Sequence, residues 1–193
     1  MTDPVILPKL AWRESPNQST RRLMEGVVPY LIVVHRPVGS YHGSADWLCN
    51  PKAQASAHVL TEGNGTGVDV ATQLVAWDKK AWHAMSFNSI SYGIEVDDDA
   101  WDGDDPGARL TAARIVAFLC HKTNIPCRWT HMPHDVPGVC RHFDLGMAGG
   151  GHTDPTTELT LWRRFIRECQ REKERGHFRE TWGKGRLPKI KGT

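Results

Sequence analysis

The sequence predicts a single α/β domain in which helices flank a mixed central β-sheet. Its 193 residues suit one domain, and 39% hydrophobic with 24% charged residues is the balance of a folded globular protein. Short apolar stretches alternate irregularly with two long amphipathic segments, and there is no internal repeat. This mixture indicates layers packed around one core. We assign residues 1–29 to a lead-in segment, 30–175 to the domain and 176–193 to a basic tail or linker.

The first half of the chain predicts most of the strands. The lead-in is extended apart from a short helix over residues 19–24. The run LIVV over residues 31–34 predicts a buried strand that delivers His35 at its carboxyl end. A helical turn is expected around Pro51. Further strands are expected over residues 56–61, 68–77 and 90–96, with a hairpin turn at the glycines of residues 62–67, which match a phosphate-binding loop poorly because no helix follows them.

The second half predicts two helices. The acidic run over residues 97–105 resembles a calcium loop, but Ala100 and Arg109 stand where that loop needs ligands, so we interpret it as a solvated loop. Apolar residues at three- and four-residue spacing predict helices over residues 109–122 and 156–175. The aperiodic basic segment that follows is expected to be a mobile tail or the start of a linker.

Charge and cysteine content exclude several classes of protein. A net charge of +2 without a basic stripe argues against nucleic-acid binding. The longest apolar run, residues 27–34, contains Pro29 and is too short to cross a bilayer, so we expect no membrane insertion. The N-terminus lacks the charge and apolar pattern of a signal peptide, which predicts synthesis in the cytoplasm. Five cysteines without CxxC spacing argue against a disulfide framework.

Histidine is the unusual component, with ten in the chain. A catalytic zinc needs three neutral or anionic protein ligands and an open fourth position. His35, at a predicted strand end, could combine with His142 and Asp154, which flank a run of three glycines. The alternative pair, His131 and His134, is separated by a proline that prevents a helix from presenting both rings. Spacing alone supports the first set only weakly.

Six segments in register resemble the zinc-dependent N-acetylmuramoyl-L-alanine amidases of the type 2 family, which includes the peptidoglycan recognition proteins. The glycine-rich form of the last segment is most similar to endolysins of phages that infect mycobacteria and related actinobacteria. In chain order the segments are IVVH (32–35), SAHVL (56–60), QLVAW (73–77), AWHA (81–84), NSISYGIEV (88–96), and HFDLG with GGGHTDP (142–155).

The resemblance implies that Zn2+ is bound by His35, His142 and Asp154. It also implies that Glu95 activates the attacking water. His152 stands where many members carry a lysine that stabilises the oxyanion, and Ala57 stands where some carry a catalytic tyrosine. Asp144 is expected to orient a ligand imidazole. Substrate contacts are expected from Trp82, His83, Asn88 and His58. The alternative for Trp82 and His83 is ordinary packing, and the alternative for His58 is a core position or support of a metal ligand.

The implied function is hydrolysis of the amide bond between N-acetylmuramic acid and L-alanine in bacterial peptidoglycan. We expect a monomeric phage endolysin that is made in the host cytoplasm and acts at the cell wall. Two alternatives share the fold: a non-catalytic peptidoglycan-binding module, and a cytosolic amidase that recycles soluble muropeptides.

Overall fold

The centre of the fold is a six-stranded mixed sheet. The structure is a computed structural model that describes residues 5, 7–22, 27–62, 70–97, 101, 106–176, 178 and 182–190. The strand order of the sheet is β1-β5-β4-β7-β3-β8, and only the β4–β5 pair is antiparallel. A two-stranded antiparallel ribbon joins β2 to β6. The strands are β1 (Lys9–Trp12), β2 (Gln18–Thr20), β3 (Leu31–His35), β4 (Val59–Glu62), β5 (Val70–Gln73), β6 (Lys79–Ala81), β7 (Ser91–Val96) and β8 (Gly138–Arg141). The predicted α/β class with a mixed sheet is confirmed.

The central strands β3 and β7 divide their side chains between two faces, because successive side chains of a strand point to opposite sides. Ile32 and Val34 of β3 belong to the main core, while Leu31 and Val33 pack in a separate cluster on the other face. His35 follows at the same two-residue spacing and therefore lies on the same face as Leu31 and Val33. In β7 the main core takes residues 92, 94 and 96, so residues 91, 93 and 95 face the same side as His35.

Two long helices cover the main-core face. They are α2 (Pro106–Thr123) and α3 (Leu159–Arg175), and each carries aromatic and aliphatic side chains into the core. The buried guanidinium of Arg109 on α2 donates to Glu168 on α3 at 2.8 Å, which ties the helices together. A shorter helix, α1 (Tyr41–Leu48), packs on residues of β4 and the chain after β5. None of the described helices has the length and apolar character needed to span a membrane.

Several local predictions need correction. Residues 18–20 form strand β2 where a helix was expected from residue 19, and residues 23–24 lie outside the described part. Helix α1 was not predicted, although the turn at Pro51 is present as a 3₁₀ segment, Pro51–Ala53. The strand expected over residues 56–61 is Val59–Glu62. The glycine turn after Glu62 and most of the acidic loop also lie outside the described residues.

Described residues near both ends of the chain contribute to the domain. Strand β1 of the lead-in pairs with β5 at the sheet edge. Trp182 is 8% exposed; its ring stacks on Trp77, and its indole N–H donates to the Pro8 carbonyl at 3.1 Å. Lys184 exchanges two hydrogen bonds with the Gln73 side chain. The expectation of a mobile tail is therefore wrong for residues 182–190, because apolar burial and backbone pairing hold them in place.

Candidate metal centre

The three predicted ligand side chains converge at the carboxyl edge of the sheet. Nδ1 of His35 lies 3.1 Å from Nδ1 of His142 and 3.4 Å from Oδ2 of Asp154, and Nδ1 of His142 lies 3.1 Å from Oδ1 of Asp154. One donor atom from each residue falls within 4.8 Å of the others. A tetrahedral zinc ion with bonds of about 2.1 Å separates its ligand atoms by roughly 3.4 Å. The donor set therefore fits a small tetrahedral metal ion in both spacing and chemistry.

Parallel strand pairing explains why residues so far apart in the chain meet. His35 ends β3, and His142 directly follows β8, which is the parallel neighbour of β3. Asp154 returns to this edge after the 3₁₀ segment His142–Gly149. Its carbonyl accepts from the Phe143 amide at 2.9 Å, and its Oδ2 accepts from the Arg36 amide at 3.3 Å. The return depends on Gly150, which has a φ of 112°.

Each imidazole has a hydrogen-bond partner on the side away from the candidate metal position. Nε2 of His142 lies 2.9 Å from the Gly149 carbonyl, which can only accept, so this nitrogen carries the proton. Nε2 of His35 lies 2.9 Å from Nδ1 of His83. Both rings thus present Nδ1 to the cluster. Support of this kind is usual behind metal-binding histidines.

The predicted role of Asp144 is wrong. Its carboxylate accepts from the Trp129 indole at 2.9 Å and from the backbone amide and guanidinium of Arg141, instead of an imidazole. The Arg141 side chain is 4% exposed and also packs over the rings of Trp129 and Phe143. Asp144 therefore neutralises a buried arginine beside the site.

Burial keeps the His35 imidazole in the form that binds a metal. It lowers the pKa of His35 from 6.5 to about 4, so the ring is neutral at neutral pH. Burial also lowers the pKa of His83. For Asp154, burial raises the pKa, but the nearby imidazoles of His142 and His35 outweigh it and hold the pKa below its ordinary value. Neutral imidazole and ionised carboxylate are what a divalent cation requires.

Glu95 stands beside the cluster on β7, directly across from His35 in the strand register. Its Oε2 is buried and has no hydrogen-bond partner among the described residues. Burial, with a smaller contribution from the charge of Asp154, raises the pKa of Glu95 from 4.5 to about 8. A carboxyl group with such a pKa can both accept and release a proton near neutral pH.

His152 lies at the rim of the site. Its side chain is 60% exposed, and its ring stacks on His142 with centroids 4.3 Å apart and planes 14° apart. Nδ1 of His152 is 3.7 Å from Oδ1 of Asp154. The ring is therefore held at the cluster while one edge stays open to a ligand.

An open cavity of about 720 Å³ contains the cluster. Besides the three candidate ligands, Glu95 and His152, its wall includes Trp82 and His83. Two apolar residues of the wall are accessible: Trp47 is 55% exposed and Val38 is fully exposed. The cavity can thus accept a ligand with both apolar and polar faces.

The four residues expected to contact substrate differ in position. Trp82 and His83 line the cavity. Asn88 lines a neighbouring cavity of about 430 Å³, while its Oδ1 accepts from the amides of His83 and Ala84. His58 has no exposed surface, and its Nδ1 accepts from the Gly93 amide at 3.0 Å. The prediction for His58 is wrong, because its ring pairs with the interior of the sheet.

Two supporting groups were not predicted from the sequence, namely the Gly149 carbonyl and the contact of His83 with His35. Every residue has a backbone carbonyl, so the sequence cannot show which one accepts this hydrogen bond. The contact of His83 with His35 could have been suspected from Gly93. A glycine inside a strand often marks the close approach of another group, and Gly93 lies under the His83 ring.

Comparison with known proteins supplies the context for this geometry. Residues 25–157 match the family model described as N-acetylmuramoyl-L-alanine amidase. N-acetylmuramoyl-L-alanine amidase A from Achromobacter lyticus is 33% identical over 127 residues, which cover 62% of this chain and 70% of that protein.

Solved structures share the fold. The Staphylococcus aureus hydrolase AmiA, determined with its ligand, superposes with a TM-score of 0.69 at 16% identity, covering 88% of this chain and 85% of that chain. A mutant endolysin from Bacillus subtilis gives 0.61 at 22% identity, covering 84% and 99%. A selenomethionine derivative of AmpD gives 0.58 at 21% identity, covering 86% and 98%.

Proposed function

Because this chain belongs to the N-acetylmuramoyl-L-alanine amidase family, we propose that it is a zinc-dependent enzyme that hydrolyses the amide bond between N-acetylmuramic acid and L-alanine in peptidoglycan. The observation that carries the proposal is the convergence of His35, His142 and Asp154 beside Glu95, whose Oε2 is buried. Two neutral imidazoles and one carboxylate are a common ligand set of catalytic zinc. When bound, Zn2+ supplies Lewis acidity that polarises a carbonyl group and acidifies water.

Glu95 acts as the proton carrier. It faces the cavity next to His35, and its raised pKa of about 8 suits a group that removes a proton from the attacking water and then delivers it to the leaving amine of L-alanine. Its Oε2 has no competing partner among the described residues, so the carboxylate is available for this transfer.

His152 stabilises the negative charge that develops on the amide oxygen. Its ring is fixed by stacking on His142, yet its exposed edge faces the cavity. A hydrogen-bond donor fixed in place before the reaction is an effective way to stabilise an oxyanion. A neutral imidazole carries one ring N–H that can donate this hydrogen bond.

The substrate is the wall polymer, and the protein acts as a phage endolysin. The cavity is open, and its exposed side carries Trp47 and Val38, so a long chain can lie across it. Aromatic side chains suit the apolar faces of sugar rings and peptide. A non-catalytic binding module has no need for a complete ligand set together with a buried acid, which favours an enzyme. An amidase that recycles soluble muropeptides remains the second candidate, since it shares the same chemistry.

The test is to incubate the purified protein with isolated cell walls and, separately, with soluble muropeptides, and to quantify newly exposed L-alanine amino groups. We expect release from walls, loss of release with a chelator and recovery on addition of Zn2+. His142→Ala should remove both zinc content and release. No release from either substrate by the zinc-loaded protein would disprove the amidase function. Release from soluble muropeptides alone would establish the second candidate.

A further inference from the structure

The ring of His83 occupies a position that two strand residues and one loop residue define. Ser91 and Gly93 lie on the face of β7 that carries the candidate site. A Cβ atom at Gly93 would stand 2.6 Å from Cγ of His83, so the ring packs directly on this glycine. The backbone amide of His83 donates to Oδ1 of Asn88 at 2.9 Å. The ring is therefore held in a fixed orientation.

The hydrogen bonds around His83 fix the proton position on each ring. The hydroxyl of Ser91 lies 2.7 Å from the Phe87 carbonyl, which can only accept, so the single hydroxyl proton is committed there. Oγ of Ser91 must then accept from Nε2 of His83, which lies 3.1 Å away. A neutral imidazole with its proton on Nε2 has a lone pair on Nδ1, and that atom lies 2.9 Å from Nε2 of His35.

We propose that His83 is a positioning residue for the metal centre: it accepts the Nε2 proton of His35 and so fixes this ligand with its bare Nδ1 nitrogen toward the metal. Ser91 fixes the proton of His83 on Nε2, and Gly93 leaves space for the His83 ring because it has no side chain. This inference rests on the proposed zinc function and replaces the predicted substrate role of His83. His142 has the equivalent support from the Gly149 carbonyl, which no side-chain substitution can remove.

The support matters because a neutral imidazole can carry its proton on either nitrogen. Without an acceptor beside Nε2, His35 can protonate Nδ1 instead, or rotate its ring, and in both cases the metal loses a preformed ligand. Partners behind metal-binding histidines typically contribute 10- to 100-fold to metal affinity. We expect His83 to contribute within that range.

The experiment measures zinc affinity directly, by competition with a chromophoric chelator, in the wild type and in His83→Ala, His83→Asn and Ser91→Ala. His83→Ala should weaken zinc binding about 10- to 100-fold. His83→Asn should recover most of it, because the asparagine Oδ1 can occupy the position of Nδ1. Ser91→Ala should weaken binding less, and it keeps the test possible if His83→Ala does not fold. His121→Ala, an exposed histidine on α2, is the matched control and should bind zinc as the wild type does.

Nitrogen NMR of the metal-free protein, with labelled histidine, gives a readout that does not depend on activity. We expect His35 in the Nε2-protonated form in the wild type and in His83→Asn, and a mixture of forms in His83→Ala, while His142 stays unchanged. If the wild type binds zinc and His83→Ala binds it within threefold with an unchanged His35 signal, the inference is wrong and the amidase function stands. If the wild type binds no zinc, the proposed function fails, and the proton position on His35 still decides the role of His83.

Discussion

Asp144 and Glu95 are two acidic side chains near the carboxyl edge of the sheet, and the protein surrounds them in opposite ways. Asp144 accepts hydrogen bonds from the Arg141 guanidinium, the Arg141 amide and the Trp129 indole. Glu95 differs, because its Oε2 is buried and has no hydrogen-bond partner among the described residues. Buried polar groups are normally paired. A saturated carboxylate indicates a structural role, and an unsatisfied one that faces a cavity indicates chemistry.

The difference has an energetic side as well. The Arg141 side chain is 4% exposed, so its charge is removed from water, and Asp144 is the acid that compensates it. The folded state therefore needs the charge on Asp144. At Glu95, burial and the neighbouring Asp154 disfavour the charge, which raises the pKa to about 8. The folded state therefore retains at Glu95 a group that lowers its stability when charged, as expected where function requires that group.

Of the two acidic side chains, Glu95 should give the larger effect on activity when it is replaced, in Glu95→Gln. The amide fills the same volume but cannot carry the proton, so kcat on cell walls should fall about 10²- to 10⁴-fold. Zinc content should stay at the wild-type level, because the three ligand side chains are untouched. Turnover and metal content are measured on the same preparation, with Glu174→Gln, an exposed acid on α3, as the control. Wild-type turnover in Glu95→Gln would mean that another group carries the proton.

Asp144→Ala should give the largest effect on stability. It leaves the buried Arg141 guanidinium without its acid, and breaking such a pair typically costs about 3–5 kcal/mol. Urea unfolding of the metal-free protein measures this loss. Where the variant is folded, zinc affinity should match that of the wild type. A folded Asp144→Ala protein with weakened zinc binding would instead support the role first expected from the sequence, orientation of a ligand imidazole.

The convergence of His35, His142 and Asp154 could be predicted from the sequence. The strand LIVV ends at His35, parallel pairing brings β8 beside it, and the glycine-rich loop returns Asp154. The resemblance to the amidase family placed these residues in register, and the family is confirmed by the match over residues 25–157.

The surroundings of the site could not be predicted to the same depth. Asp144 and His58 are typical of functional residues by type, yet their partners are the Arg141 guanidinium and the Gly93 amide, which only the folded chain brings to them. Helix α1 was missed because it is only eight residues long and contains Gly43, which weakens the helical pattern. The segment with Trp182 shows no periodicity, and its burial depends on contacts with Trp77 that no local pattern records.

The smallest of these effects concerns the pH dependence of stability in the metal-free protein. The pKa of Glu95 rises from 4.5 to about 8 on folding, so between these values the folded state holds a proton that the unfolded state has released. Raising the pH through this range therefore favours unfolding, and the stability contributed by protonated Glu95 is lost as the pH passes 8. Glu95→Gln cannot titrate and escapes this loss.

The melting temperature of metal-free Glu95→Gln should therefore exceed that of the wild type by an amount that grows from pH 5 to pH 8 and reaches roughly 10 °C. His35 acts in the opposite direction, because its pKa falls from 6.5 to about 4 and the unfolded state takes up a proton between those values. That contribution is present in both proteins and largely cancels in the difference. Thermal unfolding with a chelator present, at pH 5, 6, 7 and 8, measures the difference in melting temperature between Glu95→Gln and the wild type. A constant or shrinking difference would mean that Glu95 is already charged in the folded protein, and its contrast with Asp144 would then rest on hydrogen bonding alone.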